Sequence, residues 1–228
     1  MPRKRAPLPF DTEYFKKQSQ KGERKPIDET FNSIYQTNHW GGADSVSGNG
    51  SGQSQTDEIR KQLPLLMDEF GLTSILDLPC GDFNWMRQVN FGNIRYTGAD
   101  IVVDIIHKNQ KTFADKNRQF IALDLTRDNL PPADIIFSRD CLVHLSFEDI
   151  FRALKNLKRS TIPYLLTTTF PDCEENIDIV SGDWRILNLE KPPFHFPKPL
   201  RLINERCTEG DGTYADKSLG LWEIQSLL

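Results

Sequence analysis

The sequence predicts an α/β protein: a mostly parallel sheet, flanked by helices and ending in an antiparallel hairpin. Three observations predict it. Short apolar runs alternate with amphipathic helical patterns from about Thr56 onward. The run Ser74-Ile75-Leu76-Asp77-Leu78 is cut by Pro79-Cys80-Gly81 and resumes with helical spacing at Trp85, Met86 and Val89, which reads as strand, tight turn and helix, the first half of a βαβ unit. The last two apolar runs, 200–205 and 219–224, are joined by the polar turn Glu209-Gly210-Asp211-Gly212, and strands joined this way pair antiparallel.

Composition bounds the function classes. At 228 residues, 38% of them hydrophobic with 14 Phe and 4 Trp, the chain fits one domain with a buried core and some decoration. A net charge of -4 gives no reason to expect a nucleic-acid partner, which needs clustered Lys and Arg. The basic start, Pro2-Arg3-Lys4-Arg5 with Lys16, Lys17, Lys21, Arg24 and Lys25 behind it, reads as a solvated tail or as a localisation or polyanion-binding one. Cys80, Cys141, Cys173 and Cys207 lie far apart without a Cys-x-x-Cys pair, so neither a zinc knuckle nor a disulfide framework is expected. With no N-terminal apolar h-region and no apolar run near the roughly 18 residues of a membrane span, the expected location is the cytoplasm.

Taken in order, residues 1–30 are polar and without a convincing period, and read as a disordered arm. Residues 31–228 then form a single domain, with 31–55 as an N-terminal lid or loop and 56–228 as the core. The Gly/Ser run from Ser45 to Gly52 suits a flexible linker. Trp40 beside Gly41-Gly42 instead favours a lid, from Trp40 to Gly52, over a bound ligand. Ile59, Leu63, Leu66, Met67 and Phe70 share one face of a helix from about Thr56 to Phe70, with Thr56 as N-cap and a kink at Pro64. Strands follow at Arg95–Asp100, 119–125, 133–138 and 163–170. One helix reaches about Phe113, and another runs from Ser146, a good N-cap, to about Lys158. Between Pro171 and Pro197 the prolines remove ladder donors, so this stretch reads as a long loop of the kind that contacts substrate. Trp184, Arg185 and Asn188 are its candidates. Behind the fourth strand stand Arg139, Asp140 and His144, costly to bury unless they pair with each other or with a ligand. A structural Arg-Asp pair with a capping histidine is the alternative there.

The turn Asp77-Leu78-Pro79-Cys80-Gly81-Asp82, with Asp100 closing the next strand, resembles motif I of the class I S-adenosylmethionine-dependent methyltransferases. The resemblance covers about Thr56 to the C-terminus. It implies the Rossmann-like seven-stranded sheet of that superfamily and S-adenosyl-L-methionine as cofactor. Asp77, Pro79, Cys80 and Gly81 would carry its methionine part, and Asp100 with Ile101 its ribose. Asp124 would accept from the adenine amine with Leu125 against the ring, and Arg139, at the end of the fourth strand, would also bind the cofactor. The spacing of Asp77 and Asp100 also suits an acid about 20 residues beyond such a turn. Family members usually show three glycines here, whereas this chain has Pro79, Gly81 and Phe83 at those places. Trp40-Gly41-Gly42 and Asp183-Trp184-Arg185 with Asn188 add a likeness to a little-characterised branch, some of whose members are associated with sugars.

The implied reaction is methyl transfer to a small-molecule or glycan acceptor, a sugar hydroxyl among them. Trp40, Trp184, Arg185 and Asn188 would bind the substrate. His144 would take the proton, and Asp140 would orient the imidazole or act itself. No metal is required; Asp140, Asp172 and His144 are the donors one would assemble. Two other classes stay open: a catalytically silent binding module with this fold, and a nicotinamide-dependent oxidoreductase. The missing Gly-x-Gly-x-x-Gly and the antiparallel ending oppose the oxidoreductase.

Overall fold

The computed structural model describes residues 11–23, 25–42 and 44–227. Its strands are β1 Ser74–Asp77, β2 Arg95–Asp100, β3 Arg118–Ala122, β4 Ile135–Ser138, β5 Tyr164–Thr169, β6 Arg201–Asn204 and β7 Ser218–Glu223. They form one sheet in the order β3-β2-β1-β4-β5-β7-β6. The pairs from β3 to β5 are parallel, and β7 runs antiparallel to both β5 and β6. Chain order reverses between β1 and β4, so the ligand crevice of such a sheet belongs at the carboxyl ends of these two strands.

The middle of the sheet is buried on both faces because β1, β4 and β5 carry apolar residues in both of their alternating directions, whereas the edge strands β3 and β6 are largely open to solvent. Leu76, Ile136, Leu165 and Trp222 pack with Ile150, Leu154 and Leu157 of helix α5 (Phe147–Arg159). Their neighbours Ile75, Ile135, Phe137, Leu166 and Leu221 pack with Ile59, Leu63, Leu66 and Met67 of helix α3 (Asp57–Glu69). Helix α4 (Val103–Phe113) crosses from β2 to β3.

Four expectations are corrected. The segment read as a disordered arm contains helix α1 (Tyr14–Gln20) and the start of helix α2 (Ile27–Thr37); the basic cluster Arg3-Lys4-Arg5 lies outside the described residues. No α-helix follows β1. Trp85 and Met86 are buried, but the chain makes only a 3-10 turn over Met86–Gln88 before Val89 turns extended and Gly92 N–H donates to Asn90. A single turn satisfies the same apolar spacing as a helix. The third strand stops at Ala122, short of Asp124. Thr56 sits at the start of α3, yet its hydroxyl donates backwards to the Gly52 and Gln53 carbonyls instead of capping the helix.

Ser146 does cap α5, accepting from Asp149 N–H at 3.2 Å while Glu148 and Asp149 lie at the positive end of the helix dipole. Ser146→Ala is expected to lower unfolding stability by about 1 kcal/mol in urea titrations, with the denaturant slope unchanged.

Candidate functional site

β1, β2 and β4 end side by side, and a cavity opens above them. It is lined by Asp77, Pro79, Cys80, Gly81, Asp100, Ile101, Asp124, Leu125, Arg139, Asp140, His144 and Trp40. Trp184, Arg185 and Asn188 do not line it.

Three acids face this cavity, two at strand ends and Asp124 two residues beyond β3, each buried and each bonded differently. Asp77 accepts from the Tyr96 hydroxyl at 2.5 Å, but burial, reinforced by nearby Asp100, pushes its pKa up to about 8. Asp100 accepts from Val102 N–H at 2.9 Å and Gly81 N–H at 3.1 Å, and burial still raises its pKa to about 6. Asp124 accepts through Oδ1 from the amide and hydroxyl of Thr126, at 2.8 and 2.7 Å. Its buried Oδ2 has no hydrogen-bond partner among the described residues, although Arg127 Nε lies 3.0 Å away as an ion pair.

Arg139 is buried and fully engaged. Its Nη2 donates to Glu205 at 2.8 Å and to the Gly50 carbonyl at 2.9 Å, and Nη1 lies 3.2 Å from Asp140. Lys217 donates to Asp140 at 2.7 Å and lies 3.5 Å from Glu205. Together these cations outweigh the burial that would raise the Asp140 pKa, and hold it below the usual carboxylate range. Asp140 also has φ 50°, a left-handed conformation that a non-glycine residue holds only under surrounding constraint. Its amide donates to the Thr168 hydroxyl at 2.8 Å. Glu205 and Lys217 were not among the sequence candidates; the register Asn204↔Ser218 brings these hairpin arms together.

His144 sits on a 3-10 turn, Leu142–His144, with Nδ1 3.0 Å from the Asp183 carbonyl. A carbonyl only accepts, so Nδ1 carries the proton and Nε2 of the neutral ring is an acceptor. Burial lowers the pKa to about 4. The backbone of Asp183 therefore orients the imidazole, the part expected of Asp140, whose carboxylate is taken by Lys217 and Arg139. The Asp183 carboxylate meanwhile accepts from Phe15 and Lys16 N–H at 2.7 and 3.0 Å, anchoring α1.

The three acceptor candidates of the long loop are structural. Arg185 donates to the Leu142 and Leu145 carbonyls at 2.7 and 2.8 Å, clasping the turn that carries His144. Asn188 donates to the Pro171 and Cys173 carbonyls at 2.9 and 3.0 Å. Trp184 packs edge-on against Phe170 and Tyr214. A loop without its own ladder must satisfy backbone carbonyls with side chains, and these residues do so.

The cavity's remaining wall comes from the N-terminal segment: Ile27, Phe31, Ile34 and Tyr35 of α2, then Val46, Ser47 and Ser51. Asp82 holds this cover by accepting from Ser45 Oγ and Val46 N–H, both at 3.0 Å, and Lys108 bonds to the Tyr35 hydroxyl. Gly81 has φ +52°, and a Cβ there would come 2.2 Å from Ser47 Oγ, so glycine lets the cover close on the turn. The apolar spacing Ile27, Phe31, Ile34 was the available signal for this wall. Among the described residues no group of three or more His, Cys, Asp or Glu is placed to hold a metal ion, so Asp140, Asp172 and His144 do not assemble one.

Because Asp77 binds its proton more tightly folded than unfolded, its contribution to stability is lost as pH rises from about 4 through about 8. Between pH 6 and 8 the wild-type chain is expected to lose about 2 kcal/mol in urea unfolding that Asp77→Asn does not lose.

No protein-family model and no curated protein sequence matches the chain. Solved structures do. Human N-acetylserotonin methyltransferase in complex with SAM superposes with a TM-score of 0.53 at 14% identity, over 90% of this chain and 61% of that one. PigF with SAH gives 0.57 at 13%, over 91% and 65%. The N-methyltransferase NodS from Bradyrhizobium japonicum WM9 gives 0.54 at 14%, over 75% and 97%. The chain thus spans about two thirds or less of the first two proteins and nearly all of the third. Likeness at this identity establishes architecture, and the sheet order with its antiparallel β7 agrees with it: the chain has the Rossmann-like fold of the class I S-adenosylmethionine-dependent methyltransferases.

Proposed function

We propose that this chain is an S-adenosylmethionine-dependent methyltransferase acting on a small-molecule or glycan acceptor. The observation that carries the reading is the convergence of Asp77, Asp100 and Asp124 on one covered cavity at the switch point of this fold. The residues fit the cofactor. Asp124 offers a buried carboxylate oxygen without a hydrogen-bond partner for the adenine amine. Each Asp100 oxygen keeps a lone pair beyond its amide bond for the ribose hydroxyls. Leu125 and Ile101 supply apolar surface. Gly81 N–H, engaged by Asp100, is not free for the methionine part.

When bound, S-adenosylmethionine supplies an activated methyl group with a neutral sulfur leaving group. The chain's own task is then alignment and exclusion of water, for which α2 and the segment from Trp40 to Ser51 form the cover. His144, neutral with Nε2 bare, is placed to receive a proton, and Trp40 stacks on it at 4.4 Å. Four free cysteines, and no described helix long and apolar enough to cross a membrane, support a cytoplasmic setting. An antiparallel β7 beside β5 opposes the nicotinamide reading, since dinucleotide-binding sheets continue in parallel.

Calorimetry tests the reading. S-adenosylhomocysteine is expected to bind, roughly 10- to 100-fold more weakly to Asp100→Ala, as loss of hydrogen bonds to a charged group implies. NADH is expected not to bind. Binding of neither ligand would favour the silent module, and binding of NADH alone would favour the oxidoreductase.

A further inference from the structure

We propose that Trp40 and His144 form a clamp for a neutral hydroxyl group, so that oxygen is the atom methylated; this rests on the methyltransferase reading above. The two rings stack with centroids 4.4 Å apart and planes 29° apart, both on the cavity wall. His144 has spent its Nδ1 proton on the Asp183 carbonyl, leaving Nε2 as an acceptor with no hydrogen bond among the described residues. Trp40 Nε1, which can only donate, is buried without a hydrogen-bond partner among the described residues. An unmet buried donor is costly and calls for an explanation, which a ligand supplies. One bare acceptor and one bare donor on adjacent rings match a group that both donates and accepts through one atom. A hydroxyl does this; an un-ionised amine could also, but an alkylamine near neutral pH is an ammonium, which only donates, and a carboxylate only accepts.

The surrounding charges select in the same direction. Asp140, the carboxylate on the same segment as His144, is paired with Lys217 at 2.7 Å and Arg139 at 3.2 Å, so it has no charge left for an ammonium. Arg139 and Lys217 are in turn paired with Glu205, at 2.8 and 3.5 Å, so neither is free for a carboxylate or phosphate. Phe31, edge-on to Trp40 at 6.4 Å, and Ile27 complete an apolar wall that accepts the face of an aromatic alcohol or of a sugar ring.

In the transfer, the hydroxyl oxygen's lone pair forms the bond to the methyl carbon as the carbon–sulfur bond breaks, its electron pair remaining on sulfur. The hydroxyl proton passes to His144 Nε2 and from the resulting imidazolium to water.

The test uses the full chain, 15N-labelled and saturated with S-adenosylhomocysteine, titrated separately with benzyl alcohol, benzylammonium, benzoate and methyl glucoside. Trp40→Phe and His144→Gln assign the resonances. Before any probe is added, His144 is expected as the Nδ1-protonated tautomer; an Nε2-protonated ring overturns the clamp. At least one hydroxyl probe is expected to move the Trp40 indole and His144 Nε2 resonances, and to bind roughly three- to tenfold more weakly to Trp40→Phe. Which of the two does so separates aromatic alcohol from sugar. Benzylammonium and benzoate are expected to move neither resonance. A response to a charged probe in preference to both hydroxyl probes, an unchanged affinity in Trp40→Phe, or no response to either hydroxyl probe overturns the clamp. Saturation by S-adenosylhomocysteine is measured first: its failure refutes the methyltransferase reading, whereas normal saturation with silent Trp40 and His144 refutes only the clamp.

Discussion

The guanidinium of Arg139 is the point on which the site depends. A buried cation is tolerable only when its charge and donors are met, and breaking one partner of such a pair costs several kcal/mol. Arg139 meets that demand with three parts of the chain at once: Glu205 from the C-terminal hairpin, Asp140 beside it on the β4 end, and the Gly50 carbonyl of the N-terminal cover. Lys217 closes the circuit between Asp140 and Glu205, giving two cations and two anions. Sheet, hairpin and cover are thereby fixed relative to one another at the carboxyl end of β4.

With those charges neutralised among themselves, the rest of the cavity is governed by desolvation. Burial raises Asp77 and Asp100, and lowers His144, so each shifts toward its neutral form. The result is a site in which His144 is neutral and Asp77 largely protonated near neutral pH while Asp100 keeps its charge, enclosed by aromatic and aliphatic walls. The sulfonium of the proposed cofactor would have to be held there through placed lone pairs and excluded water. Hence the cover matters as much as the floor.

The floor was legible in the sequence because it is local. An apolar strand places the polar residue that ends or follows it at the sheet edge whatever packs around it, which is why Asp77 and Asp100 at strand ends, Arg139 directly after β4 and Asp124 two residues beyond β3 were found and lie on one cavity. Of the cover, the segment from Trp40 to Gly52 was expected as a lid, whereas α2 was missed because the charged residues of positions 11–30 hid a helical face that begins at Ile27. Arg185 and Asn188 misled for a physical reason: polar residues in a long loop bond inward to its carbonyls as readily as outward to a substrate. Glu205 and Lys217 had no local signal, since a hairpin register decides their partners. The helix expected after β1 failed because apolar spacing over one turn does not distinguish a helix from a 3-10 turn.

The central claim is that floor and cover enclose one ligand together. Hydrogen–deuterium exchange on the intact chain, with and without S-adenosylhomocysteine, tests it most directly. The account predicts slowed exchange in Ile27–Thr37 and residues 44–52 as well as at the ends of β1, β2 and β4. Slowing at the strand ends alone, with the N-terminal segments exchanging as before, would contradict it.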